Sequence, residues 1–93
     1  MAELVVCSAV ESDYAEALCW YTERSVHAAD RFEAEFDHVL ETIASDPERF
    51  PLCDDRHRYY LMHRFPYQVT YRRHEDQIVV IAIAFDISQS AVA

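Results

Sequence analysis

Metal-free cleavage of RNA needs three kinds of group: a base to activate the 2′-hydroxyl, a donor to protonate the leaving oxygen, and cations to hold the phosphate. Within MHRFPYQVTYRRHEDQIVVIAIAF, residues 62–85, His63, Arg64, Tyr71, Arg72 and Arg73 supply those types on what read as adjacent strands. On residue type, His63, Arg64 and Arg72 are the catalytic candidates. The same side chains fit two plainer roles. Arginine and histidine on the open face of a strand keep it soluble and blunt its edge. A row of guanidiniums can also hold an acidic partner through charge-assisted and sometimes bidentate bonds. In that docking role Arg58, Arg64, Arg72 and Arg73 are the expected contacts, with His63 and Tyr71 as polar and stacking partners.

Other chemistries find less support. Cys53, Asp54, Asp55 and His57 are neighbours and His63 is not far along the chain, but tight zinc sites show paired spacings such as C-x2-C or H-x3-H, which this cluster lacks. Asp54 and Asp55 read as a solvated turn, and no metal is expected. No motif supports a cysteine nucleophile. Cys7 sits in an apolar strand and reads as core, whereas Cys19 lies off the apolar stripe of its helix. Three cysteines without paired spacing fit reduced thiols in a cytoplasm. Trp20, Tyr21, Phe32 and Phe36 read as core and inter-helix packing. The chain has no glycine, so a phosphate-cradling glycine loop is excluded and no cofactor is implied.

Charge narrows the partners. The net charge is -9, and lysine is absent, so every fixed positive charge is an arginine. Residues 11–48 hold eleven carboxylates against Arg24 and Arg31, whereas residues 49–93 hold six arginines against five carboxylates. Long-range attraction of a nucleic acid is disfavoured for the whole molecule, while a local arginine surface is not. No apolar run approaches the roughly 20 residues of a membrane span. The start, MAELVVCSAV, carries no basic segment of the kind that opens a secretory signal.

The elements that must position these residues follow from periodicity. With 93 residues, 52% of them apolar and 27% charged, the chain reads as one folded domain over residues 1–93. Residues 4–7 are a short apolar strand. Ser8-Ala-Val-Glu11 has the S-x-x-E form of a capping box, and Val10, Tyr14, Ala17, Leu18 and Tyr21 then recur at helical spacing, predicting a helix over 9–24. Ser25 is the expected N-cap of a second helix, whose apolar face is Ala28, Ala29, Phe32, Phe36, Val39, Leu40 and Ile43. That helix ends before Pro47. Residues 46–55 form a loop, 58–65 and 67–73 form strands around Pro66, and 74–77 form a turn. Residues 78–85 are apolar on both faces, as in a central strand covered from both sides. Residues 86–93 have no periodicity and are expected to be a flexible tail. The order is βααβββ, an α+β domain with a helical hairpin packed on a small, mainly antiparallel sheet.

AEALCWYTERS, DRFEAEFDHVLETIASDPERFP and HRFPYQVTYRRHEDQIVVIAIA together resemble the RelE/ParE toxin superfamily of bacterial type II toxin–antitoxin systems, most nearly its ParE-like plasmid-stabilization branch. The match covers about residues 4–85, and P-E-R-F-P with R-F-P-Y at this spacing carries it. The resemblance implies the same fold and a toxin neutralised by a cognate antitoxin, as a hetero-oligomer in the cytoplasm. ParE-like members poison DNA gyrase without being enzymes, whereas RelE-like members are endoribonucleases that cut mRNA on the ribosome. Members commonly follow the last strand with a histidine and a basic pair. Here Phe85 replaces that histidine, and Ile87 and Ser88 stand where basic residues are expected. Together with the acidic net charge, this favours a ParE-like role. A RelE-like nuclease and a degenerate, antitoxin-binding member remain as alternatives.

Overall fold

A computed structural model describes residues 3–85. The elements are β1 (Glu3–Val6), α1 (Ser8–Arg24), α2 (Val26–Ser45), β2 (His57–Leu61), β3 (Tyr67–His74) and β4 (Gln77–Phe85). The expected order βααβββ is the observed one. The expected tail at 86–93, Ile87 and Ser88 included, lies outside the described residues.

The helical hairpin turns on a single residue. Ser25 is extended (φ -165°, ψ 119°), and its N–H donates to Tyr21 O at 2.7 Å, closing α1. Its Oγ accepts the Ala28 N–H at 3.2 Å, opening α2. One serine therefore caps both helices and reverses the chain without glycine. Ser25→Ala is expected to cost about 1 kcal/mol and to lower the melting temperature by roughly 4–8 °C, read by thermal unfolding. No change would mean that the hydroxyl is not the cap.

The other expected cap does not form. Cys7, not Ser8, is the N-cap of α1, with no side-chain capping bond. The Cys7 N–H donates to Val80 O at 3.1 Å, so the strand ladder runs up to Cys7 and the helix begins at once. Ser8 is already helical and is not available as the extended residue that a capping box requires.

β4 is central. The sheet order is β1-β4-β3-β2, with β1 parallel to β4 and the other pairs antiparallel. The connection between β3 and β4 is the dipeptide Glu75-Asp76, and Glu75 takes φ 56°. A left-handed residue with a Cβ costs about 1–2 kcal/mol, and a chain without glycine or asparagine has no cheaper residue for the turn. Both helices pack on one face of the sheet, around Phe32, Val39, Ile43, Val69, Tyr71, Ile78 and Val80.

The expectation that β4 is covered on both faces is therefore corrected: Ile78, Val80 and Ile83 are buried under the helices, but Val79 and Ile81 are only half-buried. The run reads as apolar on both faces partly because a bulge opposite Thr70 and Tyr71 leaves Ile81 unpaired, which shifts the inward phase from Val80 to Ile83. Trp20 is also reassigned. It is 50% exposed, edge-on to Tyr21, with the Arg24 guanidinium 3.7 Å above its ring. It lies one position off the Ala17–Tyr21 stripe, so the helix turns it outward.

β2 stops at Leu61 instead of running to residue 65. Met62 and Phe65 turn their side chains into the core. Between them the N–H groups of His63 and Arg64 donate to Glu35 Oε2, at 2.7 and 3.2 Å. A carboxylate on α2 thus takes the place of a strand partner and makes residues 62–66 a pinned loop.

Candidate functional site

The six residues expected to form one docking surface are divided between two concavities. Arg58, Tyr71, Arg72 and Arg73 line the first, of about 200 Å³, together with Arg56, Glu48 and Asp55. His63 and Arg64 line the second, of about 510 Å³, with Arg31, Glu35, His38 and Tyr60. The three catalytic candidates are not brought together, because Arg72 belongs to the first concavity and His63 and Arg64 to the second.

The first concavity is built by the edge strand β2, the end of β3 and the loop leaving α2. Arg58 lies opposite Tyr71 in the ladder, and His57 opposite Arg72. Successive residues of a strand point to opposite faces, so Arg58 and Tyr71 share the helix-covered face while His57 and Arg72 share the open one. Arg58 Nη1 donates to Phe50 O at 2.6 Å, which anchors the loop. Arg73 Nη1 lies 3.3 Å from Glu48 Oε1; both side chains are exposed, so the pair contributes about 0–1 kcal/mol. Arg56 and Arg72 form no ion pair among the described residues.

Tyr71 lies at the bottom of this concavity. It is 1% exposed, and its hydroxyl donates to Pro47 O at 2.6 Å. Burial pushes the phenol up to about 12, with the Arg58 charge acting in the opposite sense and Asp46 adding to the rise. Its role is to tie β3 to the exit of α2, which sets the floor beneath the arginines. Alternation along YQVTYRR already places Tyr71 on the inward side with Val69. The polar tip made it look like a surface group.

Asp54 shapes the loop. Its Oδ1 accepts the N–H groups of Arg56 at 2.9 Å and His57 at 2.7 Å, and its carboxylate meets His57 Nδ1 at 2.8–2.9 Å. This is an Asx turn that opens β2 and sets the course of Arg56. Beyond it the chain doubles back: Cys53 N–H donates to His57 O at 2.8 Å and Tyr59 N–H to Pro51 O at 3.1 Å, covering the first part of the β2 edge. Asp54 is thus committed to the turn. Among the described residues no three His, Cys, Asp or Glu side chains gather as a metal-ligand group.

The sequence matches the family model for the ParE toxin of the type II toxin–antitoxin system, parDE, over residues 8–85. The chain belongs to the ParE toxin family. A chain from a solved structure, "Chromosomal ParDE TA system from P. aeruginosa", shares its fold with a TM-score of 0.79 at 13% identity, over 91% of this chain and 96% of that one. No curated protein matches the sequence.

In this ParE-family chain Phe85, which stands where relatives of the superfamily were expected to carry histidine, is half-exposed and edge-on to Tyr67 at 5.8 Å. With Trp20, Tyr21 and Pro66 it lines an apolar groove of about 570 Å³, rimmed by Asp13 and Glu16. Sequence reading passed over Arg56, because it sits in a loop. It also passed over Arg31, Glu35 and His38, which at i, i+4 and i+7 share one stripe of α2. That spacing was the available signal.

The turn at Asp54 titrates in a defined direction. Backbone bonds from Arg56 and His57, reinforced by the His57 ring, lower its carboxyl to about 2, against about 3.9 in an unfolded chain. A depressed carboxyl stabilises the fold above the unfolded value and loses that contribution as pH falls through the folded value. The Arg56 and His57 amides are therefore expected to lose hydrogen-exchange protection between about pH 4 and pH 2. Protection unchanged down to pH 2 would contradict the turn.

Proposed function

We propose that this ParE-family chain is the toxin of a type II pair that acts by occupying DNA gyrase, not by cutting RNA. In this reading a cognate antitoxin holds it inactive, laying an acidic segment against the arginine-lined concavity to form a hetero-oligomer in the cytoplasm. The observation that carries the reading is that Arg56, Arg58, Arg72 and Arg73 line one concavity on a chain whose net charge is -9. An acidic segment docking there avoids the carboxylate-rich helices. Each charge-assisted bond it makes contributes about 1.5–3 kcal/mol.

RNA cleavage by His63, Arg64 and Arg72 draws no support from side chains that line separate concavities, and a polyanionic substrate meets an acidic molecule. Among the described residues no helix is long and apolar enough to cross a membrane.

Induced expression, with and without the small open reading frame beside the gene, tests this reading. The chain alone is expected to arrest growth with a DNA-damage response, and co-expression to restore growth. Rapid loss of mRNA would instead make it a nuclease. Normal growth alongside a stable complex with the neighbour's product would make it a degenerate member.

A further inference from the structure

We infer that the loop between β2 and β3 is an oxyanion site in which the chain's own Glu35 sits as an exchangeable occupant, and that its external ligand is a single phosphate group. Two consecutive main-chain N–H groups, of His63 and Arg64, converge on one oxygen, Glu35 Oε2. Successive N–H groups aimed at one point make an anion-binding concavity. Here that point is held by a carboxylate from a helix 28 residues earlier in the chain.

The surroundings exceed what that carboxylate uses. Arg31 and Arg64 line the same concavity, yet neither forms an ion pair with Glu35 or any other carboxylate among the described residues. Ala34, His38, Tyr60 and His63 complete the lining, and at about 510 Å³ the space is far larger than a carboxylate fills. Two fixed cations beside two N–H donors are more than one planar monoanion can satisfy. A tetrahedral phosphate has oxygens enough for the N–H pair and for both guanidiniums.

Glu35 leaves without breaking the core. It reaches the loop by a flexible side chain, and Met62 and Phe65 still anchor the loop through their burial. The chain's net charge of -9 disfavours a nucleic-acid strand but admits one phosphate, free or on a mononucleotide.

The test is an NMR titration of the full chain with inorganic phosphate, at constant ionic strength set with chloride. Saturable shifts are expected at the His63 and Arg64 amides. Glu35→Ala is expected to tighten phosphate at least tenfold, and adding Arg64→Ala should abolish that gain. Glu35→Gln keeps the side-chain size and is expected to move the same way, which covers the case in which the alanine variant fails to fold. A second titration with adenosine 5′-monophosphate separates the sources: equal affinity points to free phosphate, and tighter binding to a nucleotide. Shifts at these two amides no larger than at other surface amides in the Glu35 variants would overturn the site. So would a phosphate affinity indifferent to Arg64→Ala.

Discussion

Arg56→Glu combined with Arg72→Glu is expected to weaken the cognate antitoxin at least a hundredfold while barely moving the melting temperature. These two arginines are the informative pair because neither makes an ion pair within the described chain. Arg58, by contrast, holds Phe50 O, and Arg73 meets Glu48, so removing either mixes folding with binding. Two charge-assisted bonds at about 1.5–3 kcal/mol each amount to roughly two decades or more of affinity. Reversing the charges adds repulsion, which salt screens. Titration calorimetry at low and high salt reads both effects. An affinity unchanged at either salt would remove this concavity from the interface.

Phe32→Ala is expected to cost about 3–5 kcal/mol, a large share of the roughly 5–14 kcal/mol that holds a domain of this size. Phe32 is fully buried, with the rings of Tyr14, Tyr21, Phe65 and Tyr67 centred 5.1–5.5 Å away. It joins both helices to the loop before β3 and to β3 itself, so its removal empties the junction instead of trimming an edge. The melting temperature should fall by roughly 15–30 °C. Trp20→Ala, on the exposed side of α1, is the control and should change it little. A loss under about 1 kcal/mol for Phe32→Ala would mean that the aromatic cluster is not the centre of the core.

Long-period features were the most legible in the sequence. The apolar stripe of α2, the stop before Pro47 and the serine between the helices depend on spacing and local bonds, and each appears where expected. Features set by distant partners were not legible. RYYLMHRF reads as one strand because nothing within it announces that Glu35, far away in sequence, takes the His63 and Arg64 N–H groups. The capping box failed for a similar reason, since the bond from Cys7 to Val80 O comes from the last strand. The arginine surface was half-legible. Residue type identified the cations, but which of them share a concavity depends on strand alternation and on the Asp54 turn, and that turn brings in Arg56 while Tyr71 goes to the core.

The most direct measurement is gyrase supercoiling with the purified full chain, with a labelled transcript in the same tube. Dose-dependent loss of supercoiling, an intact transcript, and recovery on adding the antitoxin are the predicted results. Supercoiling that proceeds normally while the transcript is cut would contradict the account.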